Sequence, residues 1–413
     1  MQISTRKFLF LSYYFPPRPE IGGKRVDKLC AVALKRGWQA SVVSTSGDLA
    51  VDTSLAASVG DVALTLLDRS GARGGSIVKK RVRALFADLL AFMDVVRFFL
   101  AARRIKAVGA IPVVMASAPP RRVVVAALLL KLADKNTIFV ADFRDPWLRG
   151  SEAGKSTLRA VISRYLLGKV LSGADLITAT AQATLDQLSR SGVTGVREKS
   201  LLIPNAVDLH LFDNVSSRLF AAKNRVIFGH LGDLDYEHRN PVPLLQAVSR
   251  IKEESPRIFF GIEVHFWGES GYWQGRDLAG LIQDHGLESA AFAHATVDHN
   301  RALGIVKEID ALIIFAFNQP LQIPAKCYEY LLSGKPILAL CEEGSETFRL
   351  LGKFPGVELV TSPDPDAIRR GVEKIVQDLS APTETGFTRD LSSLDYEKVF
   401  APLWERIEGM LHR

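Results

Sequence analysis

Short apolar runs rich in β-branched and aromatic residues alternate with longer amphipathic segments from one end of the chain to the other. That rhythm predicts parallel sheets crossed by helices, an α/β fold. In the first half the runs at 8–14, 40–45, 62–67, 113–117, 138–142, 176–180 and 201–204 read as strands. Helices fall between them. Over 24–36, Val26, Leu29, Ala33 and Leu34 recur at helical spacing and Gly37 stops the helix. The pattern restarts at Arg225-Val226-Ile227-Phe228-Gly229-His230-Leu231, a strand running into a glycine loop, followed by a helix near 243–252 and strands at 262–267, 311–315, 336–340 and 357–360.

Two strand-first α/β units predict two Rossmann-like domains facing across a cleft. The expected division is an N-terminal domain at 1–205, a linker at 206–224 where periodicity lapses, a C-terminal domain at 225–395, and a helix within 396–413 that packs back on the first domain.

Composition narrows the class. The chain has 413 residues, with 52 Lys+Arg against 45 Asp+Glu for a net charge of +7. That is an ordinary globular balance, which excludes disordered, collagenous and coiled-coil chains. Three cysteines, Cys30, Cys327 and Cys341, lack metal-type spacing and argue against a disulfide framework or zinc site, so a reduced, cytoplasmic protein is expected. The apolar stretch 8–15 ends in Pro16-Pro17 without a small-residue cleavage site, so no signal peptide is expected. The run 123–130, between Arg122 and Lys131, falls far short of the roughly 20 residues a bilayer crossing needs. No aromatic-basic motif for nucleic acid is present.

A parallel sheet binds ligands at the carboxyl ends of its strands, and three loops there stand out. In the first, Gly22-Gly23 precedes a helix and Lys24 and Arg25 add charge for an anion. An ordinary glycine turn with solvated cations is the alternative, and the spacing is not that of the dinucleotide fingerprint. In the second, Gly229 to Asn240, Arg239 offers a guanidinium fork to a phosphate. Asp233-Leu234-Asp235 there has the form of a metal-binding Asp-x-Asp, but Asp364-Pro365-Asp366 repeats it in a loop, which favours coincidence. In the third, 322–336, Lys326 and Glu329 share a face of a helix starting near Pro324. The lysine suits a diphosphate and the carboxylate a ribose; a surface ion pair of little energy is the alternative.

Together, and in this order, these pieces resemble the GT-B glycosyltransferases, in particular the large retaining family often called GT4. The resemblance rests on Tyr14-Phe15-Pro16-Pro17 with Gly22-Gly23, Asp142-Phe143-Arg144-Asp145-Pro146-Trp147, Ile203-Pro204-Asn205-Ala206-Val207-Asp208 and the segment 323–336. It spans nearly the whole chain. It implies a nucleoside-diphosphate sugar as donor substrate, bound mainly by the second domain, with no cofactor. Glu329 would bind the ribose. Arg239, Lys326, Gly232 and the backbone at Ala325 would hold the diphosphate, and Gly22 and Gly23, with Arg25 nearby, would close over it from the first domain.

Many family members carry two glutamates with seven residues between them, and the first would fall at Leu321. A first-domain histidine is also common there, yet this chain has none before His210. Asp142 and Asp145 are the polar substitutes, with Arg144 as an acceptor or phosphate contact. The alternative for the aspartates is a buried structural carboxylate. Fixed cations would stabilise the departing diphosphate, so no divalent metal is expected. In a retaining reaction of this family the departing phosphate takes the acceptor's proton.

A long helix is expected over 78–106, with Leu85, Leu89, Phe92, Val96 and Leu100 on one stripe, Arg83, Asp94 and Arg97 elsewhere, and basic clusters at both ends. Such a helix can lie on an anionic leaflet or pack on a sheet, and the resemblance makes a lipid-linked or saccharide acceptor of bacterial polysaccharide assembly plausible. The alternatives to a glycosyltransferase are a nucleotide-sugar epimerase of the same fold and a non-catalytic sugar-nucleotide-binding protein.

Overall fold

The computed structural model describes residues 6–16, 18, 21–46, 61–68, 87–147, 157–213, 215, 224–271, 275–381 and 387–412. Two parallel sheets organise them, each in its own unit. The first unit comprises Met1–Ala206 and Tyr396–Arg413, the second Val207–Asp395. In the first, β1 (Lys7–Ser12), β2 (Gln39–Thr45), β3 (Ala63–Leu67), β4 (Val113–Ala118), β5 (Ile138–Phe143), β6 (Leu176–Ala179) and β7 (Ser200–Leu202) lie in the order β3-β2-β1-β4-β5-β6-β7. In the second, β8 (Val226–Leu231), β9 (Ile262–Trp267), β10 (Ala291–His294), β11 (Ala311–Ala316), β12 (Ile337–Cys341) and β13 (Val357–Val360) lie in the order β10-β9-β8-β11-β12-β13.

The central strands are apolar over most of their length because helices cover both faces. Side chains alternate between those faces, so each sheet separates two cores. Leu9, Leu11, Val114 and Ala116 enter one core of the first unit, while Phe8, Phe10, Val113 and Met115 enter the other. The second unit repeats the arrangement, with Ile313 and Phe315 on one side and Leu312 and Ile314 on the other.

The helix Tyr396–Leu411 belongs to the first unit and finishes one of its cores. Phe400, Leu403, Trp404 and Ile407 are buried there, and the Trp404 ring lies 4.8 Å from Phe8 and 5.3 Å from Trp38. Glu408 accepts hydrogen bonds from Trp38 Nε1 at 3.2 Å and Arg36 Nη2 at 3.1 Å. Removing such side chains from water is worth about 1.5–3 kcal/mol each.

Strand order reverses beside β1 and β4 in one sheet and beside β8 and β11 in the other. In open α/β sheets ligands bind where such a reversal occurs, so the ends of these strands are the candidate site in each unit.

Several expectations change. The strand Ala291–His294 has only four residues, too few for alternation to register. The first helix spans Ile21–Lys35, so Gly22 and Gly23 lie within its first turn rather than before it. Val207 pairs with Asp395 in the second unit, while 214 and 216–223 of the expected linker lie outside the described residues.

The long helix covers Ala87–Gly109; 78–86, with Arg83 and Leu85, lie outside the described residues. Of its expected apolar stripe, Phe92 is 64% and Leu100 56% exposed and Val96 is half-buried, while Phe98 and Ala102 point into the core. Asp94, expected off the buried face, is itself buried and paired with Arg122 at 2.6 Å. Among the described residues no helix is long and apolar enough to cross a membrane.

Candidate functional site

In the first unit, the loop after β1 folds over the first turn of the helix Ile21–Lys35. A Cβ at Gly23 would lie 3.1–3.3 Å from Phe15 and Pro16, so glycine permits that approach. A Cβ at Gly22 would overlap Nη1 of Arg144, which reaches it from the end of β5. Arg144 Nη2 donates to the Pro119 carbonyl, while its buried Nε has no hydrogen-bond partner among the described residues. Burial pulls the Arg144 pKa down, and the charges of Asp145 and Asp142 oppose that pull. A confined guanidinium with an unused donor, set against the amino-terminal turn of a long helix, has the chemistry to accept an anion. The segment is anchored beyond it by Trp147, whose Nε1 donates to the Ser163 carbonyl at 3.1 Å. Asp145 lies between these anchors, half-buried.

Asp142 and Arg25 are spent on each other, which corrects the roles expected for them. Arg25 Nη2 lies 2.9 Å from Asp142 Oδ1 and Nε 3.2 Å from Oδ2. Ser117 and Thr178 hydroxyls each donate to the same carboxylate at 2.7 Å. Each carboxylate oxygen therefore has two donors already. Arg25 also donates to the carbonyls of Ile203 and Pro204, both at 2.8 Å. Burial alone would raise the Asp142 pKa; the Arg25 charge and the three donors outweigh it and hold the carboxyl below its usual range. At 0% exposure it braces β4, β5, β6 and the end of the unit, and no oxygen is left for a substrate.

In the second unit the polar groups gather where β8 and β11 end. Gly232 follows β8 with φ +151°, a conformation that favours glycine, and a Cβ there would lie 2.7 Å from Lys326 Cε and 3.3 Å from its Nζ. Lys326 opens the helix Lys326–Leu332, preceded by Ala325, with Glu329 in its first turn. That helix has only seven residues, so the lysine, more than a helix dipole, supplies the positive charge.

Arg239 is held by Asp235, with Nε to Oδ2 at 3.0 Å, and the Asp235 carboxylate also accepts from the amides of Glu237 and His238. Asp233 accepts from the Glu269 amide at 3.1 Å. Asp235 thus serves its own loop, and Asp233 ties that loop to the one after β9. The loops after β8 and β11 are tied together by Asn318 Nδ2 to the Glu237 carbonyl at 2.7 Å and Gln319 Nε2 to the His238 carbonyl at 3.2 Å.

Sequence reasoning passed over His230 at this edge. Its imidazole is 3% exposed, packs edge-on against Phe315 at 5.0 Å, and lies near the same Gly232 and Lys326. Burial lowers its pKa to about 3; the bond to the Ile313 carbonyl acts the other way, and Lys326 and Arg239 depress it further. A histidine in the penultimate position of an otherwise apolar strand was the available signal.

The structure thus gathers Gly232, Lys326 and His230 in one unit, and Gly22, Gly23 and Arg144 in the other. It assigns Arg25 and Asp142 to the framework.

No family profile matches the chain, and no curated protein matches it in sequence. Solved structures do. Sucrose-phosphate synthase from Thermosynechococcus elongatus is similar over 98% of this chain and 99% of its own, at TM-score 0.72 and 15% identity. A glycosyltransferase from Rickettsia africae is similar over 99% of both chains, at TM-score 0.68 and 12% identity. Anabaena Alr3699/HepE, in complex with UDP-glucose, is similar over 98% of this chain and 99% of its own, at TM-score 0.66 and 15% identity. With its two all-parallel sheets and their paired switch points, the chain has the GT-B fold of nucleotide-sugar glycosyltransferases.

Proposed function

We propose that this chain is a retaining, metal-independent glycosyltransferase of GT4 type. It moves a sugar from a nucleoside-diphosphate sugar to a saccharide or lipid-linked acceptor, in the cytoplasm and in bacterial polysaccharide or glycoconjugate synthesis. The observation that carries this reading is the gathering of Gly232 and Lys326 at the switch point of the second sheet, with Arg239 in the adjoining loop. Negative charge grows on the departing diphosphate, and cations already fixed in place stabilise it without reorganising. Lys326 and Arg239 are those cations in the second unit. Arg144 with Gly22 and Gly23 is the complementary anion receptor of the first. Glu329 takes the ribose hydroxyls. The UDP-glucose complex of Alr3699/HepE, a protein of the same fold, supports a nucleotide-sugar donor.

Phe92, Leu100, Arg97, Arg103 and Arg104 form the exposed face of the helix Ala87–Gly109 and favour peripheral contact with an anionic membrane, where a lipid-linked acceptor would lie. A sugar-nucleotide-binding protein without turnover is the second reading. Leu321 at the place of the family's first glutamate and the fully engaged carboxylate of Asp142 favour it.

Thermal shift with UDP, GDP, ADP and dTDP tests the donor site, because a ligand of the folded state raises the melting temperature. A hit followed by acceptor-dependent release of nucleoside diphosphate in the presence of chelator supports the transferase. No stabilisation by any of the four overturns the reading, and binding without turnover selects the second.

A further inference from the structure

His230 carries a buried acceptor with no donor. Its Nδ1 lies 2.9 Å from the carbonyl oxygen of Ile313. A carbonyl can only accept, so Nδ1 holds the ring proton and Nε2 presents a lone pair. Among the described residues no group donates to Nε2, and burial denies it solvent. A buried acceptor left unpaired costs about 1–3 kcal/mol, so one that persists at a ligand site marks a contact completed on binding.

The neighbours of Nε2 say what completes it. It lies 3.5 Å from the point where a Gly232 Cβ would sit, and Lys326 Nζ lies 3.3 Å from that same point. A side chain at Gly232 would collide with Lys326 Cε at 2.7 Å, so glycine lets the lysine and Nε2 border the same spot. Groups facing the ring are Lys326 from the helix Lys326–Leu332, Arg239 from the loop after β8, and Phe315 from β11. Both charged neighbours are cations and disfavour a second ring proton, so Nε2 stays an acceptor. A phosphate oxygen at neutral pH has no proton to offer it and is drawn to Lys326 instead. The ligand group that fits Nε2 is an O–H, one step along the molecule from the phosphate.

We propose that His230 is a specificity-determining residue whose Nε2 accepts a hydrogen bond from a hydroxyl of the nucleoside-diphosphate sugar while Lys326 holds the adjoining phosphate. The assignment rests on the donor-site reading above. The hydroxyl belongs to the transferred sugar or to the ribose, and the two sources separate experimentally.

Binding of UDP, 2′-deoxy-UDP and UDP-glucose is measured by calorimetry on the wild type, His230→Phe and His230→Gln; GDP and GDP-mannose replace them if the chain selects guanine. Phe fills the ring's volume without an acceptor, whereas Gln returns an oxygen near Nε2. A sugar hydroxyl predicts that Phe leaves UDP affinity unchanged and weakens UDP-glucose about tenfold or more, with partial recovery in Gln. A ribose 2′-hydroxyl predicts about a tenfold loss for UDP itself and none for 2′-deoxy-UDP, and a 3′-hydroxyl the same loss for both.

Nitrogen NMR of labelled histidine in the wild type, assigned by the signal missing in either variant, reads the ring without relying on a variant's fold. An unprotonated Nε2 that stays so when ligand binds supports the proposal. An imidazolium formed on UDP binding, or Phe affinities equal to wild type for every ligand, overturns it. Failure of the wild type to bind any nucleoside diphosphate refutes the donor site itself, a separate result from flat His230 variants in a chain that binds.

Discussion

The Arg25–Asp142 pair separates a framework carboxylate from a catalytic one, and the two roles predict opposite phenotypes. Arg25→Met leaves a buried carboxylate with only the Ser117 and Thr178 hydroxyls, and Asp142→Asn leaves a buried guanidinium facing a neutral amide. Removing one member of such a pair costs about 3–5 kcal/mol because the survivor keeps its desolvation penalty. In a unit of this size that corresponds to a melting temperature lower by about 10 °C. Arg25→Met/Asp142→Leu removes both charges and should recover part of the loss, giving a coupling term in urea unfolding.

Acidity probes the same pair. Because the folded pKa of Asp142 lies below its unfolded value, its contribution is present above the unfolded pKa, about 4 for an aspartate, and is lost as pH falls toward the folded value. The wild type should therefore lose stability below about pH 4 more steeply than Asp142→Asn. Nucleotide binding in whatever variant remains folded should be close to wild type. If Asp142→Asn changed stability by less than about 1 kcal/mol while turnover collapsed, the carboxylate would belong to the reaction and the framework assignment would fail.

Two further outcomes are expected. Gly232→Ala forces a side chain into a positive-φ position and against Lys326; it should cost about 1–3 kcal/mol of stability and weaken nucleoside-diphosphate binding at least tenfold, and unchanged affinity in calorimetry would remove Gly232 from the site. Phe92→Ser/Leu100→Ser should reduce co-sedimentation with vesicles containing anionic lipid by tenfold or more at unchanged melting temperature, whereas equal sedimentation would rule out that face as the membrane contact.

The alternation of β-branched runs and helices made the α/β class and most strands legible, because both faces of a parallel sheet demand apolar residues. Local pattern fails where partners are distant in sequence. Nothing near Asp142 announces that Arg25, 117 positions earlier, will neutralise it. Asp94 looked like a solvated residue on an amphipathic helix until Arg122, 28 positions later, gave it a buried partner. Gly22 and Gly23 were legible as a close approach but not as the helix's own first turn, since glycine is a poor helix former and is placed there by what packs on it. Lys326 and Gly232 were each readable as candidates. Their meeting, with His230 beside them, is a product of the β8–β11 adjacency that no local window contains.

The helix Tyr396–Leu411 has a bearing on biosynthesis. A ribosome releases Phe8 and Trp38 at the outset, yet Trp404, which shields them, emerges only after about 190 intervening residues of the other unit. At ordinary elongation rates that is a wait of roughly 10–40 s with an uncapped aromatic surface. The nascent amino-terminal half thus carries apolar surface of the kind holding chaperones cover, and a stop codon upstream of Trp404 would damage the portion of the chain made first.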